Sequence, residues 1–150
     1  MPLTIKTTKR LNQYTASAGT LAVASELSRR GYDAAITLGN TPTLDILCSS
    51  PGGTPFTVQV KSVSSHQWVL VRKEHLAGPA REALFFVVVL IPDDLSAPCA
   101  FHVLTHAEAC DNFAGQPKAR RDGRKLVSGW EGLPWNDVKV HRGRWDKLPR

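Results

Sequence analysis

Three side chains draw attention for the chemistry they could do together. In "TLDILCSSPGGTPFTVQVKSVSS", residues 43–65, an otherwise apolar, strand-like segment carries Asp45, Gln59 and Lys61. A strand that only fills a core needs no acid, amide or ammonium. Alternation along the strand sends Gln59 and Lys61 to one face and Val58 and Val60 to the other. Asp45 lies on the preceding strand, and the hairpin between the two strands can bring it beside Gln59. Hard divalent cations take oxygen ligands, and Mg²⁺ accepts one or two carboxylates plus waters and substrate phosphates. Asp45 and Gln59 would each supply an oxygen, and the backbone carbonyl of Val60 a third. Lys61 would hold or deprotonate an attacking water, or neutralise charge developing on phosphorus. A bound metal would polarise the phosphoryl oxygen and acidify its water. The competing reading is a surface hairpin with one polar face and no function, because Q-x-K on a strand is common.

The elements that must position these groups follow from periodicity and punctuation. Residues 11–30 read as a helix, with Leu11, Tyr14, Ala18, Leu21 and Ala22 recurring at three- and four-residue spacing and Val23 and Leu27 widening the stripe. Arg29, Arg30 and then Gly31 are a typical helix stop. Gly19 inside that helix would allow close packing against a sheet. "YDAAITL" and "TLDILCS" read as strands, Pro51-Gly52-Gly53 as a hairpin turn, and "PFTVQVKSV" as the next strand. "QWVLV" reads as a fourth, "ALFFVVVLI" as a fifth buried on both faces, and "CAFHVL" as a sixth. Thr105 and Glu108 form a capping box for a short helix, "HAEACDNF". Residues 114–132 read as a loop, and a last helix is expected around 137–147. A helix, a run of strands and a helix packed back on the sheet make a single α/β domain spanning 1–150, in two or three layers.

Charge is unevenly placed. Residues 1–117 balance, whereas residues 118–150 hold ten Lys/Arg against four Asp/Glu, so they account for the whole formal excess of +6. Trp130, Trp135 and Trp145 are interleaved with that charge. Such a basic, tryptophan-bearing segment is a footprint for phosphate backbones, or else a solvated face whose tryptophans anchor a tail to the core. Residues 1–10 read as a short basic arm without the apolar stretch of a secretory signal. No apolar run is long enough to span a bilayer. The three cysteines, Cys48, Cys99 and Cys110, form no C-x-x-C pair, so a reducing cytoplasm is expected.

The stretch "GTLAVASELSRRGYDAAITLGNTPTLDILCSSPGGTPFTVQVKSVSS" resembles the PD-(D/E)XK nuclease superfamily, nearest its small Holliday-junction-resolvase-like and homing-endonuclease-like branches. The pattern is a helix ending in Arg29, Gly31 and Tyr32, a strand, a turn, Asp45 on a second strand and Gln59-Val60-Lys61 on a third. "RGRWDKL", residues 142–148, is similar to a W-D-x-L ending of bacterial relatives. The resemblance implies a restriction-endonuclease-like core, a central mixed β-sheet flanked by helices. It also implies Asp45 as metal ligand, Gln59 in the place usually held by Glu, and Lys61 as catalytic lysine. The cofactor would be Mg²⁺ or Mn²⁺ and the substrate DNA, with RNA an alternative that nothing in the residues separates. Two departures stand out: Gln59 removes a negative charge, and Thr20 occupies the helix position where relatives often carry an acid. Glu26 lies about 120° around the helix from Thr20 and is expected to pair with a neighbouring arginine or to pack structurally.

Further contacts to nucleic acid would come from Ser62, His66, Arg72 and Lys73 near the strand, and from Arg120, Arg121, Arg124 and Lys125 in the basic segment. Flanking-turn and solvated-surface roles are the alternatives for these residues. His102 and His106 are four apart, but 101–104 reads as a strand, so they do not form a helical zinc pair. Two classes of function therefore stand side by side. One is a metal-dependent endodeoxyribonuclease, expected to act as a homodimer or higher homo-oligomer because two strands must be cut. The other is a nuclease-fold module that binds DNA or protein with little or no catalysis.

Overall fold

The computed structural model describes residues 12–38, 45–66, 68–76, 79–111 and 130–150. Its centre is a five-stranded mixed sheet in the order β1-β2-β3-β5-β6. The strands are β1 (Asp33–Ile36), β2 (Ile46–Ser49), β3 (Pro55–Val63), β5 (Leu84–Leu90) and β6 (Ala100–Thr105). β3 and β5 run parallel, and the other neighbours are antiparallel. β5 is central and buried along nearly its whole length, as its unbroken apolar run requires.

One face of the sheet carries the helix α1 (Asn12–Arg29). Val58 and Val60 of β3 join Val23 and Leu27 of α1 in this layer's core, with Phe85, Val87 and Val89 of β5. The buried face of α1 is Thr15, Gly19, Val23 and Leu27, while Tyr14 and Leu21 are exposed. The helix is therefore rotated from the stripe that its apolar residues suggest. The reason is contact at Gly19, where an added Cβ would lie 1.8 Å from the Ser62 hydroxyl oxygen and 2.9 Å from its Cβ. Close approach to the sheet sets Gly19 at the contact, with Val23 and Leu27 buried one and two turns further along the same face.

The opposite face is covered by a two-stranded ribbon, β4 (Val69–Arg72) with β7 (Trp130–Leu133), and by the short helices α2 (His106–Asp111) and α3 (Trp135–Val138). Val63, Phe86, Val88 and Leu104 from the sheet meet Val69, Val71, Ala109, Leu133 and Val138 there. The fourth strand thus leaves the central sheet, and Val69 pairs with Leu133 across most of the chain's second half. β7 lies partly within the stretch that reads as a loop. The expected helix around 137–147 is also different: α3 ends at Val138, a 3-10 turn spans Lys139–His141, and Gly143 at φ 67° breaks the run before a second turn, Trp145–Lys147.

Two local devices form as their residues dictate. The β2–β3 hairpin closes with Gly53 N–H donating to Ser50 C=O at 2.8 Å, and Gly53 has φ 87°, which favours glycine. At α2, Thr105 N–H donates to Glu108 Oε1 at 3.0 Å and Glu108 N–H to Thr105 Oγ1 at 3.1 Å, a complete capping box. The cysteines are free thiols, and burial pushes the Cys48 thiol up to about 12. No helix among the described residues is long and apolar enough to cross a membrane.

Candidate active site

β2 and β3 pair with Ile46 opposite Val58 and Leu47 opposite Thr57. Carrying that register one residue further sets Asp45 across from Gln59. The ladder continues weakly, Asp45 N–H donating to Val58 C=O at 3.3 Å. The Asp45 side chain then takes over, its Oδ2 accepting from the Val60 N–H at 2.7 Å. Alternate residues of a strand offer their backbone groups to the same side. The Val60 carbonyl therefore lies on the same edge as the Asp45 carboxylate.

Gln59 and Lys61 share the face turned toward the β4–β7 ribbon, away from α1. Gln59 is buried, with 4 % of its surface exposed. Its Nε2 meets His75 Nδ1 at 3.0 Å, and its Oε1 is buried without a hydrogen-bond partner among the described residues. Lys61 is partly buried. Burial lowers its pKa from the ordinary lysine value, Asp45 pulls it back up, and the Arg72 guanidinium pushes it down again. Asp45, Gln59 and Lys61 thus occupy neighbouring positions where β3 outruns β2, with the Val60 carbonyl on the same edge. Oxygen donors with a single carboxylate suit a hard cation such as Mg²⁺ or Mn²⁺ that draws its remaining ligands from water and phosphate. Among the described residues, no group of three or more His, Cys, Asp or Glu side chains is placed to hold a metal ion.

The first helix adds no acid. The Thr20 hydroxyl donates back to Ala16 C=O at 3.2 Å, and Glu26 pairs with Arg29 at 2.5 Å and Arg30 at 3.5 Å. Beside Lys61, a cavity of about 290 Å³ opens between the start of α1 and the end of β3, lined by Asn12, Thr15, Lys61, Ser62, Ser64 and Trp68. Ser62 reaches it from the α1 side, where it packs on Gly19.

The other sequence candidates are more scattered. His66 is exposed and stacks on Trp135, centroids 4.8 Å apart and planes 8° from parallel. Arg72 is exposed at the end of β4, its Nη1 4.0 Å from Glu74, and Lys73 follows in the 3-10 turn Lys73–His75. Arg120, Arg121, Arg124 and Lys125 lie outside the described residues. Later in the basic segment, Lys147 is committed to structure: Nζ donates to Val103 C=O at 3.0 Å, Glu108 at 2.9 Å and His141 Nδ1 at 2.8 Å. Arg144 forks onto Asp146. Trp145 is buried against Phe101, with Arg30 stacked over its ring at 4.7 Å. For the W-D-x-L ending, the anchoring reading holds.

Sequence reasoning did not find His75, which sits 2 % exposed against Gln59. Its only local signal is a histidine that closes the polar run "RKEH" after an apolar strand.

No protein-family model matches the chain, and no curated protein matches it. Among solved structures, the bacterial homing endonuclease I-Ssp6803I superposes with a TM-score of 0.53 at 16% sequence identity, over 91% of this chain and 89% of that one. The likeness is one of fold: a central mixed sheet flanked by helices, similar to an endonuclease.

Proposed function

We propose that this chain is a metal-dependent nuclease of the PD-(D/E)XK type that hydrolyses phosphodiester bonds in DNA. The observation that carries the reading is the Asp45 carboxylate, bonded to the Val60 N–H between Gln59 and Lys61. The endonuclease-like fold and the Q-x-K strand support it. Asp45, Gln59 Oε1 and the Val60 carbonyl would hold Mg²⁺ or Mn²⁺. When bound, the cation would polarise the scissile phosphate and acidify a water.

The chain's own groups do the rest. Lys61 offers an ammonium that is already partly stripped of water, so its attraction for a phosphorane-like charge is strong. Its lowered pKa also brings it closer to serving as a proton acceptor for the attacking water. Asp45, tied to the strand backbone, holds its charge in place without a reorganisation cost. Ser62, His66, Arg72, Lys73 and the basic residues Arg120, Arg121, Arg124 and Lys125 would track the flanking phosphates. Both strands of a duplex would be cut by a homo-oligomer.

A second reading is a binding module on the same scaffold, favoured by one observation: Thr20 turns its hydroxyl back on its own helix, leaving a single carboxylate at the site. Supercoiled, linear and branched DNA incubated with Mg²⁺ or Mn²⁺ separates the two. Metal-dependent nicking that disappears in Lys61→Ala and Asp45→Asn is expected. A salt-sensitive gel shift with no nicking from any substrate would replace the enzyme with the binder.

A further inference from the structure

Gln59 stands where a carboxylate would present an oxygen in either orientation. An amide is not symmetric. One branch is an oxygen with free lone pairs, the other an NH₂ whose hydrogens repel a cation. A buried glutamine at a metal site therefore needs a neighbour that decides which branch faces the ion.

That neighbour is on the page. Gln59 Nε2 lies 3.0 Å from His75 Nδ1, with both residues buried, so this bond commits the NH₂ branch to the imidazole and leaves Oε1 as the end without a partner among the described residues. For the bond to form, His75 Nδ1 must carry a lone pair and Nε2 the proton. Nε2 is the nitrogen that approaches Glu74 Oε1, at 3.9 Å.

The backbone that carries the imidazole is held from behind. Arg81 N–H, an unambiguous donor, reaches His106 Nδ1 at 2.9 Å. His106 must then be protonated on Nε2, which donates to the His75 carbonyl at 2.8 Å. His106 is fully buried and stacks on Phe86, the residue paired with Gln59 across β3 and β5. The His106 bonds hold the backbone at His75 in place, and the tautomer of the His75 ring is set by its contact with the Gln59 NH₂ branch.

We propose that His75 is a positioning residue that sets the orientation of the Gln59 amide, so that oxygen and not nitrogen is offered to a divalent cation. The inference rests on the metal-site reading above, and its test is built to fail separately from it.

In metal-free protein, the side-chain NH₂ resonances of Gln59 should be protected from exchange and show an Overhauser contact to the His75 ring. His75→Leu should release them. His75→Asn, whose Oδ1 falls near the position of the lost Nδ1, should restore them, and it guards against reading a folding defect as a loss of orientation. Mn²⁺ affinity, followed by electron paramagnetic resonance, should fall about tenfold in His75→Leu and recover in His75→Asn, the range expected for an outer-shell partner. In a Gln59→Glu background the two oxygens are equivalent, so His75→Leu should no longer matter. Wild-type affinity in His75→Leu, or a tenfold loss that persists beside Gln59→Glu, would overturn the inference while leaving the metal site standing. Wild-type protein that binds Mn²⁺ no better than Asp45→Asn would overturn both, and the amide resonances would still report whether His75 holds Gln59.

Discussion

The Asp45 carboxylate accepts a 2.7 Å hydrogen bond from the backbone N–H of Val60. The acid thereby closes the β2–β3 ladder at the point where the partner strand begins, and it sets its charge between Gln59 and Lys61. One side chain serves the fold and the proposed chemistry at once, and substitutions can separate the two.

Asp45→Asn keeps an acceptor for the Val60 N–H, whereas Asp45→Ala does not. Asn should therefore cost little stability, and Ala about 1–3 kcal/mol for an unsatisfied, partly buried donor. Both should lose metal-dependent nicking by at least ~100-fold, the order of one removed electrostatic contact to the transition state. Urea unfolding beside a plasmid-nicking assay checks the pair. Full nicking by Asp45→Asn would remove the carboxylate from the mechanism.

Lys61 carries its ammonium in a partly buried place. Burial outweighs the attraction of Asp45, since the net shift of its pKa is downward. Lys61→Met should abolish nicking yet leave the protein as stable as wild type, or up to ~1 kcal/mol more stable. A thermal shift to clearly lower temperature would mean that the ammonium is a structural partner of Asp45.

Gly19 is where α1 meets β3. Gly19→Ala gains roughly 1 kcal/mol of helix propensity but drives a methyl into Ser62, which should leave it about 1–2 kcal/mol less stable. Adding Ser62→Gly removes the obstacle. The double variant should recover most of the loss, and equal instability of the single and double variants would rule out the contact as the cause.

Acid should weaken the fold through its buried imidazoles. His102 is 2 % exposed, and burial lowers its pKa despite the 3.0 Å bond to Val88 C=O. His141 is lowered as well, first by burial and then by Lys147. Between such a depressed value and the ordinary 6.5, the unfolded chain binds a proton that the folded one refuses. Stability is thus complete above about pH 6.5 and falls as pH drops, by up to ~1.4 kcal/mol per pH unit for each group. Denaturation midpoints at pH 7.5 and 5 should diverge less in His102→Gln than in wild type. Parallel losses would assign the acid sensitivity elsewhere.

Affinity for duplex DNA should fall linearly on a logarithmic salt scale. Replacing Arg120, Arg121, Arg124 and Lys125 with alanine should flatten that slope by about 0.9 for every phosphate contact removed, with no change in preference among sequences. Filter binding over a salt series measures it, and an unchanged slope would take these residues off the backbone.

Much of this molecule is legible in its residues because the relevant physics is local. Alternation along 55–63 separates Gln59 and Lys61 from Val58 and Val60. Pro51-Gly52-Gly53 turns the hairpin, Thr105 and Glu108 cap α2, and the apolar run at 84–90 buries both its faces. Each depends on neighbours within a few positions, so composition and spacing suffice. What needed tertiary structure lies between residues far apart in the chain. β4 leaves the sheet for β7, α1 sets Gly19 over Ser62, Lys147 is spent on Glu108 and Val103, and His75 comes to rest on the Gln59 amide. Such contacts are chosen by which layers pack most closely and which buried polar groups must find partners once the chain has collapsed. No short window of sequence contains both halves of that choice.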